Sequence, residues 1–357
     1  MKIWIDLSNS PHPLLFAPVA RRLQTEGHEV LVTARDNAQT IELARERWPQ
    51  VVVIGGASPR RRSAKVAAIG RRMTDLRSWA ARARPDVALS HNSYAQIVAA
   101  RSLRMPAVTA MDFEHQPANH VAFRLATTVL VPEVLPLDII RRQGAVAAKV
   151  VRYPGLKEEL YIGDFEPDLA ILERIGVNPR PAVVAVARTP PTRAVYHASS
   201  NPLFEPALRT ICSQEGVVCV VLTRHREQIG PIERLGLRNC IIPSTAIDSR
   251  SLVYAADVMI AAGGTMTREA AIMGIPTWTL FAGKTPAVDV SLEREGALKR
   301  LTRPDQLSQV APRPVGPRTP AQLKARGRAL EEVLVRETLA AGAGAARTAD
   351  RRLPVPA

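Results

Sequence analysis

Two successive series of short apolar runs, each run followed by an amphipathic stretch, constrain the fold of this chain more than any other feature. The first series begins with an apolar strand at residues 2–8 and ends near residues 127–133, and the second begins near Pro181. Strands that alternate with helices predict parallel sheets that are covered by helices on both faces. A chain of 357 residues is long enough for two such domains, each with its own core.

The alternation is interrupted at Pro154 and Gly155, and the sequence predicts the domain junction there. We expect one Rossmann-like domain over residues 1–153 and a second over residues 154–340. Residues 341–357 are low in complexity and predict a disordered tail. Ligands of open α/β sheets bind outside the carboxyl ends of the strands, so residues that follow strands are the candidates for a site.

One strand–turn–helix segment has the composition of an anion site. Residues 261–277 read AAGGTMTREAAIMGIPT, in which an apolar strand ends at Gly263 and Gly264 and helix formers continue to Gly274. Such a turn leaves backbone N–H groups at a helix N-terminus, where they attract phosphate, and glycine lets the ligand approach closely. Taken alone, the segment is equally compatible with a packing turn whose Glu269 lies on a solvated face.

The chain is strongly basic, with 48 Lys and Arg against 33 Asp and Glu and a net charge of +15. This balance favours an anionic partner, such as nucleic acid, a lipid headgroup or a phosphorylated substrate. Because only 4% of the residues are aromatic and no reading helix stands out, no specific nucleic-acid partner is expected.

The basic residues concentrate in residues 59–85, where Ile69, Met73 and Leu76 recur at helical spacing. This pattern is typical either of a helix that lies on an anionic membrane or of a domain-surface helix whose apolar face is buried. In the first case the lipid would be held by Arg60, Arg61, Arg62, Arg71 and Arg72.

Three features bear on the cellular compartment. No apolar run approaches the roughly 20 residues that a membrane span needs, and the first residues read as a strand rather than a signal peptide. The three cysteines, Cys212, Cys219 and Cys240, lack the spacing of a zinc site or a disulfide framework. We therefore expect a cytoplasmic protein with at most a peripheral contact to the inner face of the plasma membrane.

Four segments resemble a family of predicted glycosyltransferase-like proteins of archaea and bacteria. They are MKIWIDLSNSPHPLLFAPVARRLQTEGHEVLVTARD, YIGDFEPD, AAGGTMTREAA and FAGKTPAVDVSLEREG, and the similarity spans about residues 1–300. The chain is thereby similar to the GT-B superfamily, which holds the peptidoglycan N-acetylglucosaminyltransferase and the UDP-N-acetylglucosamine 2-epimerases. The resemblance implies two Rossmann-like domains whose parallel sheets face an interdomain cleft.

By position, the resemblance implies that the second domain binds a nucleotide sugar, with UDP as the expected nucleotide. The glycine turn would hold the diphosphate, Arg188 would neutralise its charge, and Glu269 would hold the ribose. The residues expected to bind this donor are Asn9, Arg188, His225, Gly263, Gly264, Thr265 and Glu269.

The catalytic candidates follow from the same resemblance. His12 is similar to the histidine after the glycine-rich loop of the transferase, which implies a general base for the acceptor hydroxyl, although residues 8–11 are not glycine-rich here. Asp112 and Glu114 loosely match a glutamate of the epimerases. Where the epimerases have His-Gly-Asp with a catalytic aspartate, this chain has a serine at Ser93.

The resemblance therefore implies a glycosyltransferase that moves a sugar from a nucleotide-sugar donor to a glycan or lipid-linked acceptor in cell-envelope or polysaccharide biosynthesis. It implies no metal, and no cofactor besides the donor. An enzyme similar to the UDP-N-acetylhexosamine 2-epimerases is the first alternative. A non-catalytic protein that binds a nucleotide sugar or nucleic acid is the second.

Overall fold

The computed structural model describes residues 1–37, 39–56, 62–177, 181–190, 202–245, 247–309 and 311–350. The chain forms two compact units. Unit 1 comprises Met1–Tyr161 and Ala325–Ala357, and unit 2 comprises Ile162–Lys324. Each unit is built on one parallel sheet with helices between the strands, which confirms the predicted α/β class.

The first sheet has seven strands: β1 (Lys2–Leu7), β2 (Glu29–Ala34), β3 (Val52–Val53), β4 (Val87–His91), β5 (Ala107–Ala110), β6 (Thr128–Pro132) and β7 (Val150–Tyr153). The helices that accompany them are α1 (His12–Thr25), α2 (Thr40–Arg45), α3 (Arg62–Ala83), α4 (Tyr94–Ser102), α5 (Asn119–Leu125), α6 (Leu137–Arg142) and α7 (Lys157–Ile162). The strands lie in the order β3-β2-β1-β4-β5-β6-β7. Strands β2 and β3 thus lie on one side of β1, and strands β4 to β7 lie on the other side.

The second sheet has six strands: β8 (Val183–Arg188), β9 (Val217–Leu222), β10 (Cys240–Ile241), β11 (Val258–Ala261), β12 (Thr277–Thr279) and β13 (Leu298–Arg300). The remaining helices are α8 (Ile171–Arg174), α9 (Phe204–Cys212), α10 (Ile229–Glu233), α11 (Ser249–Ala255), α12 (Thr265–Met273), α13 (Ala287–Arg294) and α14 (Pro320–Asp350). The order β10-β9-β8-β11-β12-β13 repeats the plan of the first sheet. Ligands of such sheets bind where the strand order reverses, which here is between β1 and β4 and between β8 and β11.

Helix α3 packs one half of an apolar stripe into the core of unit 1. Leu76 and Ala80 are buried in a cluster with Trp4 of β1, and Met73 packs against this cluster. One and two turns earlier, Ile69 and Val66 continue the same stripe but are 47% and 71% exposed. The apolar face of this helix is therefore covered only in its second half.

The unit boundaries differ from those that the sequence predicts. Residues 154–161 belong to unit 1, which continues beyond the end of β7 and includes all of α7 except Ile162. The chain from Ala325 onward also belongs to unit 1, where Arg326 pairs with Glu159 of α7.

The predicted disordered tail is wrong for residues 341–350, which continue α14. Alanine has the highest helix propensity, and Gly342 lets this part of the helix lie close to the start of the chain, since a Cβ there would be 2.9 Å from the sulfur of Met1. Residues 351–357 lie outside the described residues. No helix in the described part of the chain is long and apolar enough to cross a membrane.

Candidate functional site

In unit 2, three polar segments meet at the carboxyl end of the sheet. Strand β8 lies between β9 and β11, and its last residue, Arg188, is level with Leu222 on one side and Ala261 on the other. The loops that leave β9 and β11 therefore start on either side of Arg188. These loops carry the pair Thr223-Arg224 and the glycine turn.

The glycine turn has a backbone that only glycine adopts without strain. Gly263 and Gly264 have φ angles of +79° and +96°, and a Cβ on Gly263 would lie 2.9 Å from the Phe281 ring. Gly264 is the N-cap of the nine-residue helix α12, and no side chain among the described residues caps it. Gly264 is exposed and Thr265 is partly exposed, so the turn offers backbone N–H groups to an anion.

Two arginines lie next to this turn. Nη1 of Arg188 donates to the Thr223 carbonyl at 3.2 Å, and Nη2 of Arg224 lies 3.8 Å from where a Cβ on Gly264 would stand. Burial first, and then the charge of Arg224, lower the pKa of Arg188 to about 10, while Glu269 acts in the opposite direction. A half-buried cation next to a second cation gains from an anion, which would offset the repulsion between them.

Gln228 fixes the loop that carries the second arginine. Its Oε1 accepts from the Thr189 hydroxyl at 2.8 Å and from the backbone N–H groups of Arg224 and His225 at 2.8 and 3.2 Å. Nε of Arg224 also donates to the Thr189 carbonyl at 3.0 Å. The side chain of Arg224 lies toward the glycine turn. The adjacent His225, which the sequence predicts to bind the nucleotide sugar, is exposed.

Glu269, the predicted ribose ligand, lies on the second turn of α12 and is only 7% exposed. Its negative charge raises the pKa of Arg188, against the effects of burial and Arg224. Its role toward a ribose stays a prediction.

In unit 1, the end of β1 carries a buried ion pair that the sequence did not reveal. Nη2 of Arg72 donates to both carboxylate oxygens of Asp6, at 2.8 and 2.9 Å. The same carboxylate accepts from the hydroxyl of Thr33 at 2.6 Å and from that of Ser93. The serine that replaces the expected aspartate therefore donates to a carboxylate from a neighbouring strand. Arg72 is buried, so its predicted contact with lipid is wrong.

A second buried cluster of ionisable groups follows β1, β4, β5 and β7. It consists of His12, His91, Asp112, Lys157 and Glu158, which are each at most 8% exposed. Nζ of Lys157 donates to Oδ2 of Asp112, and to Oε1 of Glu158 at 2.6 Å. Nε2 of His91 lies 3.2 Å from Oδ1 of Asp112, and the rings of His91 and His12 are 5.4 Å apart. The structure thus brings together two predicted residues, His12 and Asp112, with three that were not predicted as catalytic.

The other predicted residues of unit 1 lie near this cluster in sequence but make different contacts. Glu114 is buried, with Oε1 3.5 Å from Nε2 of His115. Asn9 is exposed, and its Oδ1 accepts from Nδ2 of Asn37 at 3.2 Å. Among the residues that the structure describes, no group of three or more His, Cys, Asp or Glu side chains is arranged to hold a metal ion.

The chain is related to a known protein family. A family model described as "Protein of unknown function (DUF354)" matches residues 1–318. The chain belongs to this family. An uncharacterized protein of Methanocaldococcus jannaschii is 27% identical over 296 residues, which cover 81% of this chain and 84% of that protein.

Solved structures resemble this DUF354 member at low sequence identity. The UDP-N-acetylglucosamine 2-epimerase of Rickettsia bellii has a TM-score of 0.69 at 13% identity, with 98% of each chain covered. The UDP-GlcNAc 2-epimerase of Methanocaldococcus jannaschii in complex with UDP-GlcNAc and UDP has a TM-score of 0.64 at 13% identity, covering 93% of this chain and 99% of that one. The glycotransferase of kitacinnamycin has a TM-score of 0.56 at 17% identity, with 99% of each chain covered. The fold is GT-B, as the sequence predicts.

Proposed function

We propose that this DUF354 member binds a nucleotide sugar in unit 2, with UDP as the nucleotide, and transfers the sugar to a hydroxyl of a glycan or lipid-linked acceptor. The observation that carries the proposal is the convergence of Arg188 and Arg224 on the uncapped glycine turn of α12. Two guanidinium groups and a helix N-terminus suit a ligand with more than one negative charge, such as a diphosphate.

The same groups suit the chemistry of the donor as well as its binding. When the bond between sugar and diphosphate breaks, the leaving group gains negative charge. Fixed cations and backbone N–H groups stabilise that charge more than they stabilise the intact donor, which accelerates the step. Gln228 and the Thr189 carbonyl hold Arg224 in place before a ligand arrives, so little reorganisation is required.

Transfer to a hydroxyl also requires a group that accepts the hydroxyl proton. The buried cluster of unit 1 contains two imidazoles and a carboxylate at the ends of β1, β4 and β5. Imidazole and carboxylate groups are among the side chains that take up such a proton.

Epimerisation of the nucleotide sugar is the second candidate. It requires acid and base groups at the sugar carbons, and the position of the expected aspartate is Ser93. The structure nevertheless has a buried carboxylate, Asp112, in contact with Lys157 and His91. This cluster, together with the epimerases among the structural neighbours, favours epimerisation as the alternative.

Thermal unfolding with a panel of ligands tests the binding step. A ligand that binds only the folded protein stabilises it by about 2.7 kcal/mol at 100 times its dissociation constant. We expect UDP-GlcNAc and UDP to raise the melting temperature, and uridine, which lacks the phosphates, to raise it little. Equal shifts with uridine and UDP, or no shift with any nucleoside diphosphate, would contradict the proposal.

Incubation with UDP-GlcNAc in the absence of an acceptor separates the two candidates. An epimerase forms the C2 epimer under these conditions, which proton NMR detects, whereas a transferase leaves the donor intact until a hydroxyl acceptor is added. Binding without either product would indicate the non-catalytic alternative.

If the acceptor is lipid-linked, we expect the first half of α3, whose apolar face is exposed, to contact an anionic membrane. Val66 and Ile69 are exposed in this half of α3, Arg71 is exposed on the same helix, and Arg60 and Arg61 lie outside the described residues. Each basic residue near such a surface contributes about 1 kcal/mol. We expect vesicles with anionic lipid to bind the protein, high salt to release it, and the double change of Val66 and Ile69 to Asp to abolish binding.

Val315→Asp is the matched control for this experiment, because Val315 is 75% exposed and lies in unit 2. Equal binding to neutral vesicles, or no binding at low salt, would leave α3 as a packing helix and favour a soluble acceptor.

A further inference from the structure

The two ends of α12 are held in different ways. The N-terminus is the glycine turn, and no side chain among the described residues caps it. At the other end, the carbonyl groups of residues 270–273 lie beyond the reach of the N–H groups of the helix itself. Because these residues are at most 2% exposed, their carbonyl groups need hydrogen-bond partners from elsewhere in the protein.

The chain directly after α12 supplies two of these partners. Gly274 adopts a φ of +82°, and its N–H donates to the carbonyl of Ala271 at 3.1 Å. The N–H of Ile275 donates to the carbonyl of Ala270 at 3.0 Å. A left-handed residue commonly ends a helix in this way, and glycine adopts that conformation without strain. The carbonyl groups of residues 272 and 273 remain to be satisfied.

Arg318 supplies the other partners, from the segment of residues 311–319 that precedes α14. Its backbone N–H donates to the carbonyl of Met273 at 2.8 Å. Its Nη1 donates to the carbonyl of Ile272, and to that of Ala271 at 3.0 Å. A cation at the C-terminus of a helix also interacts favourably with the helix dipole. Arg318 thus closes the last turn of α12 with both its main chain and its side chain.

We propose that Arg318 is a positioning residue of the glycine turn. By fixing the C-terminus of α12, it keeps the N–H groups at the other end of the helix in the arrangement that binds an anion. The identity of this anion as the diphosphate of a nucleotide sugar rests on the proposed function, whereas the effect of Arg318 on the turn does not.

The shape of α12 explains how an effect at one end reaches the other. The helix has nine residues, which correspond to about 13 Å at the usual rise of an α-helix. Nε of Arg268 donates to Oδ1 of Asp289 at 2.7 Å, which holds the helix sideways against α13, and Arg318 holds it along its axis. A helix this short moves as one body, and the groups of a binding site have to be held within about 0.5 Å of the productive geometry.

Arg313 of the same segment caps the neighbouring helix α11 in a similar way. Its Nη1 donates to the carbonyl groups of Tyr254 and Ala256, at 3.0 and 2.7 Å. Helix α11 precedes β11 and does not carry the glycine turn. Arg313→Met therefore removes an arginine cap in the same unit from a helix that lacks the turn, which makes it the matched control for Arg318→Met.

Nitrogen NMR of the glycine-labelled full chain tests the position of the turn without any ligand. Gly263→Ala and Gly264→Ala assign the two signals of the turn, and the signal of Gly274 reports the loss of the cap itself. We expect Arg318→Met to shift or broaden both turn signals, and Arg313→Met to leave them in place. Arg318→Lys, which keeps a charged donor, should restore them, and Arg318→Gln, which keeps a shorter neutral donor, gives the same comparison if the Met variant does not fold. Unchanged turn signals in a folded variant whose Gly274 signal has moved, or equal shifts in Arg313→Met, would overturn the proposal.

Isothermal titration measures the consequence for binding. Each Met variant loses an arginine that donates to two carbonyl groups, so a purely structural role predicts similar losses of stability and an unchanged affinity for UDP in both. We expect Arg318→Met alone to bind UDP about tenfold more weakly, with its affinity for uridine unchanged. Equal affinities for UDP in the two variants would overturn the positioning role. If the parent binds no UDP, the proposed function fails, and the glycine signals still decide the role of Arg318.

Discussion

The double variant Arg188→Met/Arg224→Met is expected to lose at least about 100-fold in affinity for UDP while its affinity for uridine changes little. A hydrogen bond to a charged group contributes about 1.5–3 kcal/mol, and two such contacts correspond to about two to four powers of ten in the dissociation constant. The loss should be confined to ligands with phosphates, because the arginines lie at the glycine turn of α12. Isothermal titration with UDP and uridine measures both affinities.

Arg238→Met is the matched control, since Arg238 is an exposed arginine of the same unit. It removes one positive charge without touching the glycine turn, so it reports how much of the effect is due to net charge alone. Circular dichroism of each variant shows whether unit 2 still folds. A folded double variant that binds UDP as tightly as the parent would refute the diphosphate site.

The parts of this site that could be predicted from the sequence are those with a local signal. The turn is indicated by a glycine pair between an apolar run and a helix. Arg188 is indicated by its position at the end of an apolar strand. The sequence does not show which residue after β9 belongs to the site, because Thr223, Arg224 and His225 are all polar. Arg224 is fixed by contacts that the residue types do not reveal, because its backbone N–H donates to Gln228 and its Nε donates to the Thr189 carbonyl.

The residues that were missed depend on contacts between distant segments. Lys157 follows β7, which is short and is followed directly by Pro154 and Gly155. The alternation of strands and helices is interrupted there, so the sequence predicts a domain junction and not a site residue. Asp6 and Arg72 are 66 residues apart. Arg72 lies in a stretch with many other arginines, and nothing in the sequence distinguishes the one that is buried.

Arg72→Met is expected to lower the free energy of unfolding by about 3–5 kcal/mol, because it leaves the Asp6 carboxylate buried without its cation. This loss is a large share of the about 5–15 kcal/mol that stabilises a typical domain. The hydroxyls of Thr33 and Ser93 still donate to Asp6 but carry no charge. Denaturant unfolding of the full chain measures the loss.

Arg71→Met separates this effect from the general loss of a basic residue on α3. Arg71 is exposed, and its replacement should change the stability by no more than about 0.5 kcal/mol. The double change Asp6→Asn/Arg72→Met should recover a large part of the loss, because the amide carries no buried charge, and its oxygen accepts from one hydroxyl while its NH2 group donates to the other. The double variant also lacks the long arginine side chain. A recovery of stability therefore shows that the loss in Arg72→Met comes from the uncompensated carboxylate and not from the lost packing of that side chain. If Arg72→Met is as stable as Arg71→Met, or if the double variant is no more stable than Arg72→Met, the ion pair does not account for the stability of this end of the sheet.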